Sequence, residues 1–116
     1  MGLIDTYKNQ IQRLCETHKV KALYSFGSVN TKNFTQESDV DLIVDFKIDD
    51  PIEYTDNYFD LKFELEKILN RPIDLLESKA LKNPFLKERI NKTKVLVYER
   101  WRKDLVKGYR TSYSGN

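Results

Sequence analysis

Apolar and polar positions alternate along this chain with two distinct periods, and the switches between them mark out its elements. Apolar side chains at 3, 4, 7, 11, 14 and 15 recur at helical spacing and predict an amphipathic helix over residues 3–17. Val20–Phe26 then reads as a strand, closed by Gly27 and Ser28. Residues 29–37 are polar with no clear period, which predicts a loop or a short helical turn. Period two returns at Val40–Phe46, where Val40, Leu42, Val44 and Phe46 face a core. Asp39, Asp41 and Asp45 then face the other way, with Ile43 among them.

The second half repeats the alternation of types. Asp49 or Asp50 before Pro51 is a capping carboxylate followed by proline in the first turn, and predicts a helix from Pro51 to Leu69. Its expected inward side chains are Ile52, Thr55, Phe59, Leu65, Ile68 and Leu69. Asn70-Arg71-Pro72 ends it, and residues 73–76 form a third strand. Asn83-Pro84 starts a short helix through Ile90, and residues 95–98 form a fourth strand. The resulting order, α-β-β-α-β-α-β, predicts an α+β fold in which a small mixed sheet packs against helices.

Length and charge narrow the picture. A chain of 116 residues is one domain, able to bury roughly two-thirds of its unfolded surface. We place that domain at residues 1–106, with 107–116 as a mobile tail rich in Gly, Ser, Tyr and basic residues. The net charge of +2 is unevenly spread: residues 36–77 hold 13 acidic against 4 basic side chains, and residues 79–116 hold 3 against 11. An acidic middle suits a cation, and a basic end suits a nucleotide, a nucleic acid or an acidic partner surface. The single cysteine, Cys15, permits no internal disulfide and reads as core; with no secretory leader and no membrane-length apolar run, it predicts a cytoplasmic protein with no membrane partner. The one histidine, His18, is expected near the end of the first helix and has no assigned role.

The candidate chemistry lies where two strands meet polar turns. Asp39 and Asp41 project from one face of a strand, about 7 Å apart along the chain. Asp74 lies in a separate apolar run, Ile73-Asp74-Leu75-Leu76. Hard cations such as Mg2+ take one or two carboxylates plus phosphate oxygens, and a two-ion site clamps the attacking and leaving oxygens of an in-line displacement. Asp39 and Asp41 therefore fit as a metal-binding pair. Asp74 can complete a second ion's shell and draw a proton from an acceptor hydroxyl. Gly27 permits close approach of a phosphate, and Ser28 can donate its hydroxyl and N–H.

Gly27-Ser28, ten residues, then Asp39-Val40-Asp41, with the later strand carboxylate Asp74, resembles the DNA polymerase β-type nucleotidyltransferase superfamily. More narrowly, the chain is similar to the minimal nucleotidyltransferases that act as antitoxins beside HEPN-domain toxins. The similarity runs from about Val20 to Glu99 and includes Leu81-Lys82-Asn83-Pro84-Phe85-Leu86 and Val95-Leu96-Val97-Tyr98-Glu99. It implies ATP as substrate, two Mg2+ ions, and AMP transfer to a tyrosine of the partner toxin. Carried over, Asp39, Asp41 and Asp74 are the catalytic and metal-holding carboxylates, and Gly27 and Ser28 hold the triphosphate. Many relatives continue the Gly-Ser with an Arg-rich turn. Here Val29-Asn30-Thr31-Lys32 stands in its place, and Lys32 is the residue available to supply that charge, without arginine's bidentate geometry.

Little chain remains to build an acceptor pocket, which favours an acceptor brought by another protein over a small-molecule antibiotic or a nucleic-acid template. The basic end (Arg100, Arg102, Lys103, Lys107 and Arg110, with Trp101, Tyr109 and Tyr113) is a candidate docking segment. Two other readings stand beside this one: adenylylation of a small molecule such as an aminoglycoside, and a non-catalytic antitoxin that neutralises its partner by contact alone.

Overall fold

The structure, a computed structural model, describes residues 2–100. Its sheet has the order β3-β2-β1-β4. β1 (Val20–Phe26) runs antiparallel to both β2 (Val40–Phe46) and β4 (Val95–Glu99), while β2 and β3 (Ile73–Glu77) run parallel. The parallel pair requires a crossover, and α3 (Pro51–Leu69) supplies it. The fold is thus the expected α+β arrangement of a mixed four-stranded sheet and helices. The expected tail at 107–116, and the docking role of Trp101 and the residues beyond it, lie outside the described residues.

One face of the sheet carries the main core. Val40, Leu42, Val44 and Phe46 of β2 are buried there with Leu23, Ile73 and Leu75, against Ile11 and Cys15 of α2 (Lys8–Thr17) and Leu61, Leu65 and Leu69 of α3. The opposite face is covered only in part. α4 (Pro84–Thr93) lies over it and buries Ile43 and Ile90, leaving room for Asp41 and Asp74 beside it.

The first helix departs from expectation. It is two pieces, α1 (Leu3–Thr6) and α2, broken at Tyr7, whose backbone leaves the helical region at φ −108° and ψ 19°. Leu3, Ile4 and Tyr7 all pack on the core, and apolar spacing survives one distorted residue, so periodicity does not reveal the break. His18 closes α2 and ties it to α3, with Nδ1 3.0 Å from Asn57 Oδ1.

The phase of α3 also differs. Its start is as expected: Asp50 Oδ2 accepts from the Glu53 N–H at 2.8 Å, Pro51 follows, and Asn70 closes the helix in the left-handed region. The buried stripe, however, is Tyr54, Leu61, Leu65 and Leu69, while Ile52, Thr55 and Phe59 face solvent. Two tyrosines set this phase. The Tyr54 ring packs edge-on against Phe46 with centroids 5.0 Å apart, and the Tyr58 hydroxyl donates to the Leu75 carbonyl at 2.6 Å. A tyrosine buries a large ring provided its hydroxyl finds a partner or the surface, so it outcompetes Ile52 for the inner face. β3, α4 and β4 each run further than expected, to Glu77, Thr93 and Glu99.

Candidate active site

Three strands bring the predicted residues into one row. Phe26 at the end of β1 pairs with Asp41 of β2, and Asp41 pairs with Asp74 of β3. Register partners on neighbouring strands project from the same face. The turn that follows Phe26, Gly27–Asn30, therefore stands beside Asp41 with Asp74 on the far side. Asp39 lies one residue before β2, near enough for its charge to act on Asp41.

Glycine at 27 is required twice over. Its φ is +75°, a conformation that side chains rarely adopt, and a Cβ there would sit 2.7 Å from Asp41 Oδ2. The tight 3-10 turn is held by Thr93, 66 residues from Gly27 and 63 from Asn30. The Gly27 N–H donates to Thr93 Oγ1 at 2.8 Å, and Asn30 Nδ2 donates to the Thr93 carbonyl at 2.7 Å and to the buried Ser25 hydroxyl at 3.1 Å. The end of α4 is thereby fastened to the Gly-Ser turn.

On the other side of Asp39, Arg71 orders the approach to β2. Its Nη1 donates to the carbonyls of Thr35 and Ser38 at 3.2 and 3.1 Å, and its guanidinium lies over the Phe34 ring, 4.8 Å from the centroid. Such planar stacking with two backbone contacts is a role a lysine would not fill. Sequence reasoning gave Arg71 only a place in a helix-breaking tripeptide.

Turn, strand and helix enclose an open cleft of about 400 Å³. Gly27, Ser28 and Asp41 line one side, and Arg89, Lys92 and Thr93 of α4 line the other. Phe26, Leu86 and Ile90 form its apolar wall. Asp39 and Asp74 flank Asp41 outside this lining. Lys32 is exposed and likewise is not among the lining residues. The cleft's cations come instead from α4, whose last turn lies beyond the end expected from sequence. The one local hint was the spacing of Arg89 and Lys92, three residues apart after a capped start.

The electrostatics single out Asp41. Burial, then the charges of Asp74 and Asp39, raise its pKa above the ordinary carboxylate value. Among the described residues, no group of three or more His, Cys, Asp or Glu side chains is gathered so as to hold a metal ion by itself. The donor set nonetheless suits Mg2+, which usually completes its shell with water and substrate phosphates rather than a protein cage. A carboxylate such as Asp41, whose ionised form is disfavoured by burial and by its neighbours' charges, is a place where a cation relieves repulsion.

Comparison with known proteins agrees with this geometry. Residues 9–103 match the family model described as Polymerase beta, Nucleotidyltransferase. A Methanocaldococcus jannaschii protein named "Putative protein adenylyltransferase" is 34% identical over 84 residues, 72% of this chain and 83% of that relative. A solved structure described as a "putative minimal nucleotidyltransferase" superposes with a TM-score of 0.66 at 26% identity, covering 82% of this chain and 95% of the other. A structure of a tri-AMPylated Shewanella oneidensis HEPN toxin in complex with an MNT antitoxin shares the fold, with a TM-score of 0.58, 18% identity, and 96% and 85% of the two chains covered. Family match, sheet topology and the aligned Gly27, Asp41 and Asp74 all lead to one assignment: the chain belongs to the polymerase β-type nucleotidyltransferase family.

Proposed function

We propose that the protein transfers AMP from ATP, with Mg2+, to a tyrosine of a HEPN-type partner toxin, and so acts as its antitoxin. The observation that carries this reading is the row of Gly27 turn, Asp41 and Asp74 across three strands at the rim of the cleft. The named activity of the M. jannaschii relative and the AMPylated toxin in the Shewanella complex support the acceptor class. A cleft of about 400 Å³ is near the small end for one ligand, which favours an acceptor side chain presented from outside over a second small molecule.

In this reading Gly27 lets the phosphates approach the turn backbone, and the Ser28 hydroxyl and N–H hold them. Asp39 and Asp41 hold the cation, whose chemistry would be to neutralise charge on the α-phosphate and the leaving pyrophosphate. Asp74, exposed at the edge of the row, takes the proton of the incoming tyrosine hydroxyl. The tyrosine oxygen bonds to the α-phosphorus, and the bond from that phosphorus to the pyrophosphate oxygen breaks. Most of the protein's contribution is positioning and charge compensation.

The test is intact mass spectrometry of the neighbouring gene's product, co-expressed with this chain or with its Asp39→Asn/Asp41→Asn variant. Increments of one or more AMP units with the unmutated chain alone are expected. A stable complex without increments would replace the reading with a binding antitoxin. Increments that persist with the variant would move the site elsewhere.

A further inference from the structure

The cleft is electrically two-sided, and its cationic side has no place in the mechanism above. Arg89 and Lys92 stand three residues apart on α4 and line the cleft opposite Gly27, Ser28 and Asp41. Among the described residues Arg89 makes no hydrogen bond or ion pair, and Lys92 has only a loose contact, with Nζ 4.0 Å from Glu88 Oε1 and both side chains exposed. An exposed pair at that distance contributes little and breaks readily. Both cations are therefore available to a ligand. The helix that carries them is registered against the Gly-Ser turn, through Thr93 to the Gly27 N–H and to Asn30. Their distance from the turn is thus set by the fold, although their tips are free.

We infer that Arg89 and Lys92 form a polyphosphate clamp, binding the β- and γ-phosphates of the nucleotide across the cleft from the Gly27-Ser28 turn. This rests on the nucleotidyltransferase reading of the cleft and adds to it the residues that would distinguish a triphosphate from a monophosphate. A charged fork and a point charge beside a phosphate chain form charge-assisted hydrogen bonds, about twice as strong as neutral ones. The same cations face the pyrophosphate as it leaves, where negative charge accumulates. Lys32, exposed outside the cleft lining, is not needed for that charge.

A structural alternative exists for Lys92, since a cation in the last turn of a helix favours its dipole. The experiment separates the two. Titration calorimetry with Mg2+ present compares α,β-methylene-ATP, which cannot transfer AMP, with AMP itself, for the unmutated protein and for Arg89→Ala/Lys92→Ala. The clamp predicts that the double variant binds the triphosphate analogue about ten- to a hundredfold more weakly, with AMP affinity and thermal midpoint unchanged. With Arg89 intact, Lys92→Arg should bind the triphosphate analogue more tightly than Lys92→Ala does. Equal triphosphate affinity in variant and parent, or an equal loss for both ligands, overturns the clamp alone. An unmutated protein that binds neither ligand overturns the nucleotide reading as well.

Discussion

At Gly27, Asp41 and Cys15 a single side chain, or its absence, decides a measurable property. Gly27→Ala adds a methyl group 2.7 Å from Asp41 Oδ2 at a φ of +75°. We expect a stability loss of about 1–2 kcal/mol in denaturant unfolding, together with loss of AMP transfer as the turn and Asp41 shift apart. Asp41→Asn should separate stability from function. The ionised Asp41 is disfavoured by burial and by Asp74 and Asp39, so the neutral amide should keep or raise the melting temperature at pH 7 while AMP transfer disappears. A fall in melting temperature would show that the carboxylate contributes to the fold. Cys15 is wholly buried, and burial pushes its thiol from 9.0 up to about 12. Tyr54 is raised as well, first by burial and then by Glu77. Both groups have folded pKa values above their unfolded ones, so the stability they contribute is full below pH 9 and is lost as pH rises towards 12. Alkaline titration followed by circular dichroism should therefore show unfolding in that window. A thiol reagent at pH 8 should leave Cys15 unmodified until denaturant is added.

Among the elements, α3 and α4 show how far a local pattern reaches. The start of α3 is written in Asp50 and Pro51, because capping is a contact between close neighbours. Its phase is not, because Ile52 and Tyr54 compete for the inner face and the winner is chosen by Phe46 and Glu77 on other strands. Leu61→Ala should accordingly cost about 2–5 kcal/mol, whereas Phe63→Ser, on the exposed side, should stay within about 0.5 kcal/mol; unfolding midpoints of the two variants check this. For α4, the useful contact is its last residue. Thr93→Val removes the acceptor for the Gly27 N–H and should weaken ATP binding more than it lowers the melting temperature, because the turn rather than the core loses its anchor.

For the molecule as a whole, the sequence by itself determined the order of elements, the strands that carry Asp41 and Asp74, and the turn at Gly27-Ser28. It could do so because strand alternation, helix caps and glycine turns are properties of residues a few positions apart. The family motif was legible for the same reason: Gly27-Ser28 directly follows β1 and Asp39-Val40-Asp41 opens β2, so both stand at the ends of one connection between neighbouring strands. Only the tertiary structure decided that Asp74 stands level with Asp41, that Thr93 holds Gly27, that Arg71 braces the carbonyls before Asp39, and that Arg89 and Lys92 line one cleft with Asp41. Each of these joins positions more than 30 residues apart. Their geometry follows from strand register and from the packing of α4 against the sheet and the Gly27 turn, and neither is encoded in a local period.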